Sequence, residues 1–103
     1  MKTWTFKSQS IGSYELYLIE DRYTDGTLYV GAFTSEDDDL FTDITVNLGH
    51  PLQTEHYAFV DVNDSPWAEA MLLDMGVAKP TGITVESGFC RYPLYRFELN
   101  EEE

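Results

Sequence analysis

Basic side chains are scarce in this chain: six lysines and arginines stand against nineteen acids, for a formal charge of −13. That deficit argues against direct binding to nucleic acid, which needs cations to neutralise phosphates and release counterions. It argues equally against anionic membranes. Cysteine is represented by Cys90 alone, so neither an internal disulfide nor a cysteine-based zinc site can be assembled. A reducing, cytoplasmic setting fits that shortage. Long apolar runs are missing too. Nowhere do about 18 apolar residues follow one another, and the alternating start "MKTWTFKSQS" has no apolar signal core. Neither export nor a membrane span is expected.

What is present is enough for one core. A 43% hydrophobic share with seven Tyr, six Phe and two Trp in 103 residues argues against global disorder despite the charge. A single domain over 1–99 is expected, followed by a disordered acidic tail at 100–103, "NEEE". The acid surplus aids solubility but penalises compaction through self-repulsion.

Period-two alternation dominates. Trp4 and Phe6 share a face in "TWTFK", and "YELYLIE" sets Leu16 and Leu18 against Tyr14, Tyr17 and Ile19. Asp25-Gly26, tolerant of positive φ, suits a hairpin between the second and third strands. "FTDITVNLG" reads as one strand offering Phe41, Ile44 and Val46 to a core, and "YAFVDV" as another. A helix is expected at about 65–75: Asp64 or Ser65 can cap it, Pro66 suits its first position, and Gly76 its left-handed end. Its apolar face is taken as Trp67, Ala70, Met71 and Leu73 or Asp74. "AKPTG" then reads as a loop, "ITVES" as a short strand, and "FCRYPLYRFEL" as a last strand that Pro93 makes an edge candidate. The sum is an α+β fold, a mostly antiparallel sheet of about five to seven strands on one main helix.

The charge is not evenly spread. "EDDD", at Glu36, Asp37, Asp38 and Asp39, runs straight into a strand. A solvated loop there would keep a sheet edge from pairing with another chain. Alternatively, together with Asp43, and with Asp21, Asp25, Asp61 and Asp64 as flanks, the run would form one negative face. Rigid strands would hold such carboxylates at a regular spacing, about 6.6 to 6.8 Å between alternate residues, and a basic partner would compensate the repulsion.

Other chemistry has thinner support. "EDDDLFTD" lacks the turn glycine and terminal glutamate of a calcium loop. His50 and His56 flank a loop and are more simply polar residues than metal ligands with Glu55 or Asp43. Cys90 has Arg91 beside it but no base in sequence to activate it. Phe89, Tyr92, Tyr95 and Phe97 are expected to complete the core, with Arg91 and Arg96 pairing acids of the sheet. No catalytic, cofactor or metal residue is assigned, and no enzyme is expected.

"YVGAF", "DITVNLG", "AFVDVND", "PWAE", "AKPTG" and above all "SGFCRYPLYRF", spanning about residues 28–97, resemble in that order domain of unknown function 4313. That family comprises small proteins of bacterial conjugative elements, plasmids and phages. The resemblance implies a mobile-element context and no assigned activity, cofactor or site residue; "EDDD" lies outside the resembling motifs. The functional expectation is a non-enzymatic acidic protein that occupies the basic nucleic-acid site of a host restriction or CRISPR protein as a DNA mimic. The alternative is an adaptor or antitoxin-like module that binds through aromatic and apolar surface such as Tyr14, Tyr17, Tyr23 or Trp67, with the acids serving solubility.

Overall fold

The computed structural model describes residues 2–10 and 12–99; the acidic tail expected at 100–103 lies outside them. Eight strands and one helix follow in the order β1 (Trp4–Ser8), β2 (Gly12–Arg22), β3 (Leu28–Thr34), β4 (Leu40–Asp43), β5 (Thr45–Val46), β6 (Tyr57–Val60), α1 (Ala68–Met75), β7 (Ala78–Ser87) and β8 (Cys90–Phe97). They form two antiparallel four-stranded sheets, ordered β1-β2-β3-β4 and β5-β6-β8-β7. The α+β character and antiparallel pairing are as expected. The strand count exceeds the expected five to seven.

The extra strand comes from Ile44. The segment read as one strand is broken there, so β4 pairs with β3 while β5 pairs with β6. Ile44 belongs to both sheets: its N–H donates to the Val30 carbonyl at 2.9 Å and its own carbonyl accepts from Asp61 N–H at 2.8 Å. Its side chain is fully buried. The next residue completes the join. Thr45 Oγ1 accepts the Val30 N–H at 3.1 Å and lies 3.0 Å from the Tyr23 hydroxyl, so a strand that changes sheets leaves no buried amide at Val30 unpaired.

The hairpin at Asp25-Gly26 is present, with Gly26 at φ 86°. The register corrects one assignment. Tyr14 pairs with Phe6, Leu16 with Trp4 and Leu18 with Ala32, so Tyr14 joins the two leucines on the core face, and Tyr17 and Ile19 face outward. A bulge between β3 and β4 leaves Phe41 without a partner and turns it onto Phe6, Tyr14 and Trp67, with ring centroids 5.2 to 6.0 Å apart. This aromatic cluster closes one side of a core that draws on both sheets and the helix, including Leu16, Val30, Ile44, Val60, Met71, Leu72 and Tyr95.

The helix starts later than its punctuation predicts. Ser65 does not cap it: the side chain is buried, 3.5 Å from the Thr42 hydroxyl, and Trp67 stands at the N-cap with no side-chain bond. Trp67 instead stacks on Trp4 at 5.8 Å. Gly76 ends the helix as expected, at φ 69°, its N–H shared between the Leu72 and Leu73 carbonyls. Lys2 adds a cation there, donating to the Met75 carbonyl at 2.8 Å. The buried face is Ala68, Met71, Leu72 and Met75, whereas Ala70, Leu73 and Asp74 are exposed.

The last hairpin differs from its expected form at both strands. "AKPTG" is not a loop but the first half of β7, which absorbs an irregularity between Pro80 and Thr84. β8 lies inside its sheet, so Pro93 is not on an edge strand. It is tolerated because β6 pairs with β8 only as far as Leu94, leaving Pro93 opposite Thr84 of β7 alone.

Removing the Thr45 hydroxyl in Thr45→Val should therefore cost about 1 to 3 kcal/mol, the penalty for a buried donor stripped of its acceptor, and Ile44→Ala about 2 to 5 kcal/mol. Urea unfolding measures both; a Thr45→Val midpoint equal to wild type would remove the hydroxyl from the join.

Candidate functional site

The acidic run forms the turn between β3 and β4, and it is closed by hydrogen bonds. The Thr34 carbonyl accepts the Asp38 N–H at 2.8 Å, Thr34 N–H donates to the Asp39 carbonyl at 2.9 Å, and Ser35 N–H donates to the Glu15 carbonyl on β2 at 2.8 Å. Asp38 takes φ 58°, a left-handed conformation that aspartate tolerates better than most residues. Its carboxylate accepts the Tyr17 hydroxyl at 2.7 Å, and that bond is the main reason the phenol ionises later than usual. All four acids of the run are exposed.

Asp43 is held the same way. It lies opposite Gly31 in the ladder, and the Tyr29 ring crosses that glycine so closely that a Cβ would stand 2.2 Å from its hydroxyl oxygen. Tyr29 Oη then donates to Asp43 Oδ1 at 2.7 Å. Burial first, and Asp43 second, push the Tyr29 phenol well above its ordinary range. Asp21 pairs with Tyr29 across β2 and β3 and accepts the Arg22 N–H. Asp25 organises the β2–β3 turn, accepting the Thr27 hydroxyl at 2.6 Å, the Thr27 N–H at 3.0 Å and the Asn47 amide at 3.3 Å; the Thr27 bonds chiefly lower its pKa.

Asp61 follows β6 and accepts the Asp64 N–H at 3.4 Å. Partial burial raises its pKa, and the neighbouring charges of Asp64 and Asp43 add to the shift. Tyr23 is raised by burial first, with Asp43, Asp61 and Asp25 contributing. The nine acids therefore fall into two groups. Asp21, Asp25, Asp43 and Asp61 gather around Tyr23 and Tyr29, with Asp64 beside Asp61, whereas Glu36 to Asp39 stand beyond Thr34, about 10 Å along β3 from the Gly31 that Asp43 faces.

The outer face of the first sheet connects them. By register Glu15, Tyr17, Ile19 and Asp21 of β2 share that face with Tyr29, Gly31 and Phe33 of β3, and the Tyr17 and Phe33 rings lie 6.0 Å apart. Glu15 is an addition to the expected set: the Thr5 and Thr3 hydroxyls bond its carboxylate and lower its pKa. The signal for it was the same alternation of "YELYLIED" that carries Tyr17 outward.

Other candidates do not converge. Cys90 begins β8, whereas His56 lies beside its end, accepting the Phe97 N–H on its carbonyl; His50 packs edge-on against Phe59. No group of three or more potential metal ligands is found among the described residues. Tyr14 and Trp67 belong to the half-buried aromatic cluster, not to a patch with Tyr17 and Tyr23. In the last strand Tyr95 and Phe97 are buried as expected, and Arg91 and Arg96 pair with Glu86 and Glu98. Phe89, expected in the core, is fully exposed at the β7–β8 turn.

Residues 17–103 match the family model described as Domain of unknown function (DUF4313). The chain belongs to this family. The DUF4313 match takes in the acidic turn, both tyrosine–carboxylate pairs and the β7–β8 hairpin, and leaves β1 outside. No curated protein and no solved structure matches the chain. Among the described residues, no helix is long and apolar enough to cross a membrane.

Asp61 provides a pH test. Because its folded-state pKa is raised, ionising it costs the folded state stability as pH climbs through the carboxylate range. Asp61→Asn should therefore raise the urea midpoint at neutral pH, and the gain should vanish below the ordinary aspartate value of 3.8. A gain that persists unchanged in acid would contradict the assignment.

Proposed function

We propose that this DUF4313 protein is a non-enzymatic, cytoplasmic binding protein of a mobile genetic element. Its β3–β4 turn and the outer face of its first sheet occupy the basic nucleic-acid site of a partner, such as a host restriction or CRISPR nuclease. The observation that carries this reading is the pair of bonds Tyr17–Asp38 and Tyr29–Asp43. Each fixes a carboxylate in place with a neutral donor, so the position is set and the charge is retained. A cation would have cancelled it.

Competition with nucleic acid follows from that charge. Electrostatic steering would speed encounter with a basic cleft and weaken as salt screens it. Both groups of acids contribute: Glu36, Asp37, Asp38 and Asp39 at the turn, with Asp43 opposite Gly31 and Asp21, Asp25, Asp61 and Asp64 further from the turn.

A second reading keeps the face and changes the force. Ile19 and Leu40 are exposed beside the half-buried Tyr17 and Phe33, which supports an adaptor or antitoxin-like module that binds through apolar surface with the acids serving solubility. Salt separates the two. Captured from nuclease-treated host lysate, a partner of the acidic face should be released by salt or by duplex DNA, and reversing Asp37, Asp38 and Asp39 to lysine should reduce its recovery at least about tenfold with the fold intact. A partner that resists salt and still binds the reversed variant would favour the apolar reading.

A further inference from the structure

Attraction of a cation by charge does not account for everything on the outer face of the first sheet. Two of its positions are large and apolar, Ile19 at 36% exposure and Leu40 at 53%. A surface that works by charge alone needs neither, and water disfavours both. The aromatic rings beside them are equally specific in placement. Tyr17 and Phe33 are cross-strand partners in β2 and β3, with ring centroids 6.0 Å apart and planes inclined by 33°.

Gly31 extends this row. Without a Cβ at that position the Tyr29 ring crosses the strand, and the Phe33 ring edge comes within 3.2 Å of where the Cβ would stand. Ile19 faces Gly31 from β2, and Leu40 faces Phe33 from β4. Three rings and two aliphatic side chains therefore form one stripe. Each of its tyrosines ends on a carboxylate oxygen, Asp38 Oδ1 for Tyr17 and Asp43 Oδ1 for Tyr29, both at 2.7 Å. A carboxylate has about four acceptor sites, so a single phenol leaves it able to receive a second, charged donor. A phenol that donates to an anion is also more electron-rich, which strengthens the pull of its ring on a cation above its face.

Arginine matches this combination and lysine does not. A planar, weakly hydrated guanidinium stacks on a ring while donating to a carboxylate at the ring's edge, and its methylene stem lies along apolar surface. An ammonium is compact and strongly hydrated, and finds only the charge. We propose, on the footing that this face is the one a basic partner occupies, that it selects arginine. Guanidinium groups of the partner's nucleic-acid site stack on Tyr17 and Phe33 and donate to Asp38, with their stems on Leu40 and Ile19. The exposed apolar side chains and the acids then serve the same ligand.

Hexa-arginine and hexalysine carry equal charge, so calorimetric titration of the full chain with each peptide at low salt separates selection from simple attraction. Hexa-arginine should bind at least about fivefold tighter. Phe33→Leu and Tyr17→Leu should each bring the ratio towards one. Tyr17→Phe, which keeps the ring and loses the bond to Asp38, should weaken both peptides and retain the preference. Equal affinities for the wild-type chain, or a preference that survives both leucine variants, would overturn the selection of arginine and leave the charge-based binding face standing. Binding of neither peptide would overturn both.

Discussion

The hydroxyl of Thr45 joins the two sheets. A strand that leaves one sheet for another ordinarily strands backbone groups at the corner, in this case beneath a fully buried Ile44. Here Val30 gives its carbonyl to Ile44 and its N–H to Thr45 Oγ1, and Ile44 gives its own carbonyl to Asp61. Both backbone groups of Val30 and both of Ile44 are thereby paired. The same corner sets the surface chemistry, because it ends β4 at Asp43, brings Asp61 alongside, and seats Tyr23 against Thr45. The acidic group around Tyr23 and Tyr29 is a consequence of how the sheets are connected.

A chain with so few cations must hold its carboxylates by other means. Among the described residues the ion pairs are Arg22–Glu20, Arg91–Glu86 and Arg96–Glu98, each between residues close in sequence. The long-range bonds come from neutral donors: Tyr17 to Asp38, Tyr29 to Asp43, Tyr95 to Glu69, and Trp4 to Asp74. Such donors order a carboxylate without neutralising it, so the negative potential persists outside the molecule. The abundance of tyrosine and the excess of acid are two parts of one arrangement, and the proposed binding face is its product.

Much of the fold was legible because strands print their period on the sequence. The Asp25-Gly26 hairpin and the Gly76 helix end were readable from backbone requirements alone. The sheet change at Ile44 was not, since alternation continues across a corner as it does along a strand, and only pairing reveals the break. Pro93 misled because its cost depends on where the neighbouring strand stops. The helix start misled because Ser65 was needed against Thr42 more than at a cap. At the site, the run of acids was plain in the sequence, but its separation from Asp21, Asp25 and Asp61 depended on where along β3 each lies. Tyr17 and Tyr29 as holders of charge were visible only as outward positions in an alternating strand. Phe89 misled because an aromatic beside a strand reads as core, whereas the turn constrains Gly88 and leaves its neighbour free to face water.

The proposed binding face requires the acidic turn to be an ordered display and not a loose loop. ¹⁵N relaxation of the Glu36, Asp37, Asp38 and Asp39 amides measures this directly. Closure on Thr34, anchorage to Glu15 and the Tyr17–Asp38 bond predict order parameters close to those of β3, about 0.85. Values below about 0.6 would mean that the turn moves freely, and would contradict the claim that this chain presents its charge in a fixed arrangement.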